Sequence, residues 1–228
     1  MEAILEALRQ EKLPHDIRKG VRRNKRDRKV GACLGYVEGY PPTWRASRMT
    51  RNNPELAKLI CQYAKDRFPE FKFSTVQINK GGSALHVDIL NHSRPSMIVS
   101  LGEHTGGELW QYPDVVLDIK HKLSECDGRV PHITLPYEGE RYSLVYFTLK
   151  ATKRPPPPPE EVQLLLQCGF DTPQPISERT KPRVDLLEAA AGILMSEYGL
   201  SSDYIGDYTN TLAFKKRESR PFKLFSVS

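Results

Sequence analysis

No stretch of this sequence approaches the ~20 consecutive apolar residues that a membrane-spanning helix needs, which excludes a helical span and any role that depends on one. Paired cysteines are missing too. Cys33, Cys61, Cys126 and Cys168 lie far apart with no CxxC or comparable spacing, so no zinc or redox motif is expected. Buried or idle thiols are the favoured reading, although an even count would allow two disulfides. There is no apolar leader either: Met1-Glu2-Ala3-Ile4-Leu5-Glu6 is acidic where a signal peptide is basic. An intracellular protein, nuclear or cytoplasmic, is therefore expected, and no membrane partner. No internal repeat is present, and the oligomeric state is not encoded in any visible pattern.

What is there suits a globular chain. Of 228 residues, 39% are hydrophobic and 27% charged, enough apolar material for one core with appendages. The net charge of +6 is unevenly spread. From Arg9 to Lys29 ten Lys or Arg face only Glu11, Asp16 and Asp27, which leaves the rest of the chain close to neutral. The run is densest at Arg22, Arg23, Lys25, Arg26, Arg28 and Lys29. Such an arm neutralises phosphates of DNA or RNA, serves as a nuclear-import signal, or is simply a solvated tail.

The apolar pattern changes along the chain. A helix is expected over 54–67, with Asn53 as cap, Pro54 at the first position, and Leu56, Leu59, Ile60, Tyr63 and Ala64 on one face. From Phe73 to Leu149, short β-rich runs follow at Ser74–Asn79, Ala84–Ile89, Ser96–Leu101, Leu109–Tyr112, His132–Leu135 and Tyr142–Leu149. Many short strands at this spacing predict a sandwich or jelly roll. Five prolines, 155–159, then hold an extended conformation and close the β region. Beyond them Glu160–Cys168, ended by Gly169, and Arg183–Tyr198, ended by Gly199, read as helices. The expected organisation is a basic arm over 1–33, a β domain over 34–152, a proline-rich linker over 153–160 and a helical tail over 161–228.

Three local patterns carry chemistry. His86-Val87-Asp88 lies in a predicted strand, where alternate residues share a face, so the imidazole and the carboxylate address one ion. His132 opens a later strand. Two histidines and one carboxylate leave metal positions open, the arrangement suited to iron(II) that must also bind a bidentate acid and dioxygen. Nine residues on comes Arg141-Tyr142-Ser143, where a guanidinium fork and a hydroxyl on one strand face suit the distal carboxylate of a small diacid. Residues 134–140 are expected to turn the chain so that His132 and Arg141 lie on neighbouring strands. Asn79 either hydrogen-bonds the cosubstrate or merely ends its strand, and His104 is the reserve ligand. Trp110 and Tyr112 alternate on one strand, where core packing is commoner than base stacking.

The order HxD, the Gly-Gly-Glu-Leu turn at Gly106–Leu109, then His132 and Arg141-x-Ser143, resembles the iron(II)/2-oxoglutarate dioxygenase superfamily. The match covers roughly 73–150, with 34–72 similar to the helical lead-in of such enzymes. Gln77-Ile78-Asn79, His86-Val87-Asp88, Asn91 and residues 101–107 look closest to the branch of the ten-eleven-translocation and base-J thymine oxygenases. The resemblance implies an α+β, mainly β fold: a double-stranded β-helix (jelly roll) core with flanking helices and a helical C-terminal tail. It implies Fe(2+), 2-oxoglutarate and O2 as cofactor and cosubstrates, His86, Asp88 and His132 as metal ligands, and Arg141, Ser143 and Asn79 around 2-oxoglutarate. The product chemistry would be hydroxylation or oxidative demethylation, with release of succinate and CO2, on a substrate such as a nucleic-acid base. A protein hydroxylase, prolyl or other, and a non-catalytic nucleic-acid-binding module are the alternatives. Gln77 and Asn79 stand where prolyl hydroxylases usually carry a Tyr, which weighs against the prolyl reading.

Overall fold

The computed structural model describes residues 1–14, 30–39, 42–88, 95–149, 154–173 and 182–208. The basic residues Arg22, Arg23, Lys25, Arg26, Arg28 and Lys29, like Asn91 and His92, lie outside them.

Two-residue periodicity builds the centre of the molecule. Six antiparallel strands, β1 (Val30–Gly39), β2 (Thr43–Ala46), β3 (Thr75–Lys80), β4 (Ser96–Leu101), β8 (Ser124–Cys126) and β11 (Tyr142–Phe147), form one sheet in the order β2-β1-β3-β11-β4-β8. Val76 and Ile78 of β3, Met97, Val99 and Leu101 of β4, and Tyr142, Leu144 and Tyr146 of β11 enter one buried cluster. The alternate residues Gln77, Asn79, Ser143, Val145 and Phe147 line a cavity on the opposite face. Helices cover the apolar face. Ile4, Leu5 and Leu8 of α1 (Glu2–Gln10), and Leu165 and Cys168 of α4 (Pro159–Cys168), join the same cluster as Leu56, Ala57, Ile60, Cys61, Tyr63 and Ala64 of α3 (Pro54–Arg67). Leu59, expected on that face, is exposed one position off the stripe, and the Asn53 side chain makes no capping bond. Between β2 and α3 stands the five-residue α2 (Arg48–Asn52), capped by the Ser47 hydroxyl.

A second sheet closes the cavity. Strands β6 (Leu109–Gln111), β7 (Val115–Leu117) and β9 (His132–Thr134) pair in the order β7-β6-β9. Their periodicity also splits. Leu109, Gln111, His132 and Thr134 face the cavity, whereas Trp110 and Ile133 enter a second cluster with Leu187, Ala190, Ala191 and Leu194 of α5 (Leu187–Ser196) and Ile205 of α6 (Ser202–Ile205). Trp110 is thus a core residue. A two-stranded ribbon, β5 (His104–Gly106) with β10 (Tyr137–Gly139), completes the strands. The chain is an α+β, mainly β fold whose two sheets enclose one cavity in the manner of a jelly roll.

Three expectations need correction. Residues 34–72 are not a purely helical lead-in: they hold β2 and most of β1, and β1 pairs along β3 from Val30↔Lys80 to Gly35↔Thr75. The run Ala84–Ile89 is no strand through Asp88; it meets its neighbour in a single bridge, His86↔His132. His132 and Arg141 do not sit on neighbouring strands, because β10 intervenes and turns to β5, so β9 and β11 belong to opposite sheets.

Candidate metal centre

The backbone around His86 alternates like a strand even though only one bridge pairs it. Leu85 and Val87 point into the α5 cluster, and His86 and Asp88 line the cavity. His86 N–H donates to the His132 carbonyl at 3.1 Å and His132 N–H to the His86 carbonyl at 3.0 Å, which sets the two imidazoles side by side with ring centroids 4.2 Å apart. Asp88 N–H donates to the Gly128 carbonyl at 2.7 Å, fixing the third side chain. One nitrogen of each imidazole and one carboxylate oxygen lie within 4.8 Å of one another, close enough to share an ion.

The tautomers follow from the partners. His86 Nδ1 lies 2.7 Å from the Ala84 carbonyl and His132 Nδ1 2.9 Å from the Val130 carbonyl. A carbonyl only accepts, so each Nδ1 carries the proton and each Nε2 keeps its lone pair. Backbone carbonyls on the far nitrogen are the supporting bonds that orient metal-binding histidines elsewhere. His86 Nε2 and Asp88 Oδ1 are 3.7 Å apart.

Around this triad the cavity is polar at one end and apolar at the other. Asn79 Nδ2 donates to Ser143 Oγ at 3.2 Å across the paired strands β3 and β11, and both residues line the cavity. Ile98, Leu109, Val145 and Phe147 supply the apolar walls. Ser83, Thr134 and Gln111, which no spacing in the sequence singles out, also reach it; Gln111 is held by a bond to the Asp127 carbonyl at 2.8 Å. Burial pushes the neighbouring Asp127 carboxyl up, but the bonds from the Arg129 side chain and N–H outweigh it and hold it below the usual carboxylate range.

Arg141 is held by backbone carbonyls. It is 2% exposed, but its Nη1 and Nη2 donate to the carbonyls of Gly81 and Gly107, each at 2.9 Å, and it does not line the cavity. Its charge lies behind Gly81, which does. Gly107 fits this packing because it has no side chain: at φ +82° an added Cβ would sit 2.8 Å from Arg141 Nε and 3.0 Å from Tyr137 Cβ. Gly107→Ala is expected to cost ~2 kcal/mol, read as a lower urea midpoint at unchanged slope. His104 is not part of the triad. Its Nδ1 meets the Gly106 carbonyl and its Nε2 the Ser100 hydroxyl, and burial, with Arg141 and Lys120 nearby, lowers its pKa against the pull of the Gly106 bond.

No protein-family model matches this chain, and no curated protein matches it. Solved structures similar to it include NgTET1 in complex with 5mC DNA, at 15% identity and TM-score 0.42, over 62% of this chain and 65% of that one. The match therefore spans less than two thirds of that structure's chain. Others are an oxidoreductase of the 2OG-Fe(II) oxygenase family from Burkholderia pseudomallei, at 19% identity and TM-score 0.43 over 64% and 77% of the two chains, and the ribosomal oxygenase YcfD from Escherichia coli in complex with cobalt and succinic acid, at 13% identity and TM-score 0.31 over 73% and 55%.

Proposed function

We propose that this chain is an iron(II)- and 2-oxoglutarate-dependent oxygenase. The observation that carries the reading is the triad itself: two imidazoles with protonated Nδ1 and a carboxylate, converging at the wall of a cavity that also holds amide and hydroxyl donors. The donor set fits iron(II), since two nitrogens and one oxygen suit that ion and leave positions for an acid and for dioxygen. His86, Asp88 and His132 would hold the metal. When bound, iron(II) with 2-oxoglutarate supplies the oxidative decarboxylation that turns dioxygen into an oxidant of C–H bonds, with succinate and CO2 as products.

The chain's own contribution is positioning and exclusion of water. Ser143 Oγ accepts from Asn79, so its hydroxyl hydrogen is available to a ligand carboxylate, and Asn79 orients it. The Arg141 guanidinium, buried behind Gly81, favours an anion at that end of the cavity without having to touch it. Ile98, Val145 and Phe147 keep solvent from the reacting carbon.

Nucleic acid is the substrate class we favour. The described residues on either side of the basic run lie beside the cavity: Gly31 N–H donates to the Pro14 carbonyl at 3.0 Å, and Gly31 pairs with Asn79 of the cavity wall. A polyanion held by Arg22, Arg23, Lys25, Arg26, Arg28 and Lys29 would be delivered near the triad. Salt-sensitive binding of single- or double-stranded oligonucleotides, lost on removal of residues 15–29, is the expected result. Equal binding without the run would remove this substrate reading and leave the enzyme class standing.

The class is tested by adding iron(II) and 2-oxoglutarate to the protein without oxygen and recording the visible charge-transfer band of the chelate. Wild type should show it. Ser143→Ala should need about tenfold more 2-oxoglutarate and Arg141→Ala more still, on the scale expected for lost hydrogen-bonding and charge interactions. A folded wild type that shows no band would overturn the reading.

A further inference from the structure

The segments that carry the triad have short pairings: β9 pairs with β6 on one edge and meets the His86 stretch on the other. β9 has three residues, and the stretch that carries His86 and Asp88 has one bridge. Residues 183–208, more than fifty positions further along the chain, contact each of these segments directly. Leu85 N–H, next to His86, donates to the Ile205 carbonyl at 2.9 Å. The Arg183 N–H donates to the Arg129 carbonyl at 2.7 Å, in the turn whose Gly128 carbonyl holds Asp88. Tyr204 Oη donates to the Thr134 carbonyl at 3.1 Å, at the end of β9 that His132 begins. Side chains reinforce these bonds. Leu85 and Val87, the alternates of His86 and Asp88, pack with Leu187, Ala190 and Leu194, and Tyr198 Oη reaches Asp114 Oδ1 at 2.6 Å, the atom that also accepts from Trp110 Nε1 at 2.9 Å.

We infer that residues 183–208 form the positioning element of the metal centre, setting the spacing of the ligands of His86, Asp88 and His132 from behind. The inference rests on the metal reading proposed above. Its physical ground is that a metal site needs its ligands held to within about half an ångström, and that rigidity must come from what packs behind them. The Ala84–Asp88 stretch meets β9 on one edge only; on the other it has the Ile205 carbonyl where a central strand would have a ladder. The fold's main cluster, built from α1, α3, α4 and the six-stranded sheet, contains none of the residues 183–208. Loosening this element should therefore degrade the metal site out of proportion to its effect on folding.

The test uses the full chain and cobalt(II) alone as probe, followed by its visible absorption and by calorimetry, at a temperature where circular dichroism shows every variant folded. Wild type should bind, and His86→Ala should bind at least a hundredfold more weakly. The paired variant Leu187→Ala/Leu194→Ala, remote from the metal, should bind ~10–100-fold more weakly, the range of lost supporting contacts, with an altered absorption band. Leu56→Ala/Ile60→Ala, a truncation of the same size in the other cluster, should stay within about twofold of wild type. Tyr204→Phe, which removes the hydroxyl that donates to the Thr134 carbonyl, should weaken binding about threefold, and it decides the matter if the paired variant does not fold. Cobalt affinity in Leu187→Ala/Leu194→Ala or Tyr204→Phe that matches wild type, or that falls no further than in Leu56→Ala/Ile60→Ala, would overturn the inference. Wild type that binds no cobalt would instead remove the metal reading, and the inference with it.

Discussion

Asp88→Ala is expected to weaken metal binding by more than ~100-fold and to reduce succinate formation to background, with little change in thermal stability. The bound follows from supporting partners of metal ligands, whose loss alone costs 10–100-fold; a ligand should cost more. Only a small stability effect is expected because what fixes the segment at this position is the Asp88 N–H on the Gly128 carbonyl, which alanine retains, while the side chain is 27% exposed. Removing one carboxylate also leaves His86 and His132 as a neutral pair that cannot offset the charge of a divalent ion. Cobalt or iron titration and a succinate assay on the same preparation check both halves. A variant with wild-type metal affinity would show that the ion, if any, sits elsewhere.

The largest effect on stability is expected at Glu161, in the first turn of α4. Its carboxylate takes a forked contact from Arg45, with Arg45 Nη2 at 2.7 Å from Oε1, and accepts the Ala46 N–H at 2.6 Å, while Arg51 Nη1 forms an ion pair with it at 3.5 Å, with the side chain only 8% exposed. Glu161→Ala leaves the buried Ala46 N–H without its acceptor and takes the carboxylate from Arg45, whose side chain is 43% exposed and can be solvated, and a loss of ~2–3 kcal/mol is expected from denaturant curves at pH 7. Glu161→Gln, which keeps the shape, should lose less. Burial pushes this carboxyl up, but the Arg45, Ala46 and Arg51 contacts outweigh it and hold its pKa below the usual carboxylate range. A depressed folded pKa means that the charge stabilises the protein above the unfolded value of ~4.3 and stops doing so as pH falls through the folded value. The gap between wild type and Glu161→Gln should thus be wide at pH 7 and narrow as pH falls below the unfolded value and through the lower folded one. A gap independent of pH would mean that packing, not charge, is what glutamine lacks.

Much of this arrangement is legible in the residues. Pro54 and the apolar spacing announce α3, Gly169 ends α4 in the left-handed conformation at φ +96°, and the alternation in Thr75–Lys80 and Tyr142–Phe147 separates core from cavity. The order His86, Asp88, His132 suggests a shared ion, and the structure brings these side chains within reach of one. Other features depend on long-range pairing that periodicity does not carry. β1 is masked by Gly31, Gly35 and Gly39, glycines that local propensity reads as breaks; at Gly35 (φ +89°) an added Cβ would fall 2.3 Å from the Ser74 carbonyl. Arg141 looks like a carboxylate fork because its chemistry allows it, but the carbonyls of Gly81 and Gly107 come from segments 60 and 34 residues away. Leu187, Ala190 and Leu194 announce a buried helix face without naming what it covers, which turns out to be the back of the His86 segment.

The alternation along β3 and β11 also divides the two strands into positions with different freedom to vary. Tyr142, Leu144, Tyr146, Val76 and Ile78 are fully committed to the cluster beneath the helices, and truncating any of them should cost folding before it touches chemistry. Gln77, Ser143, Val145 and Phe147 border the cavity. Substitutions at Gln77, Val145 and Phe147 could reshape what the cavity admits while Ser143 keeps its role toward the cosubstrate and the even-numbered positions preserve the scaffold, so a change of what the cavity accepts needs few mutations.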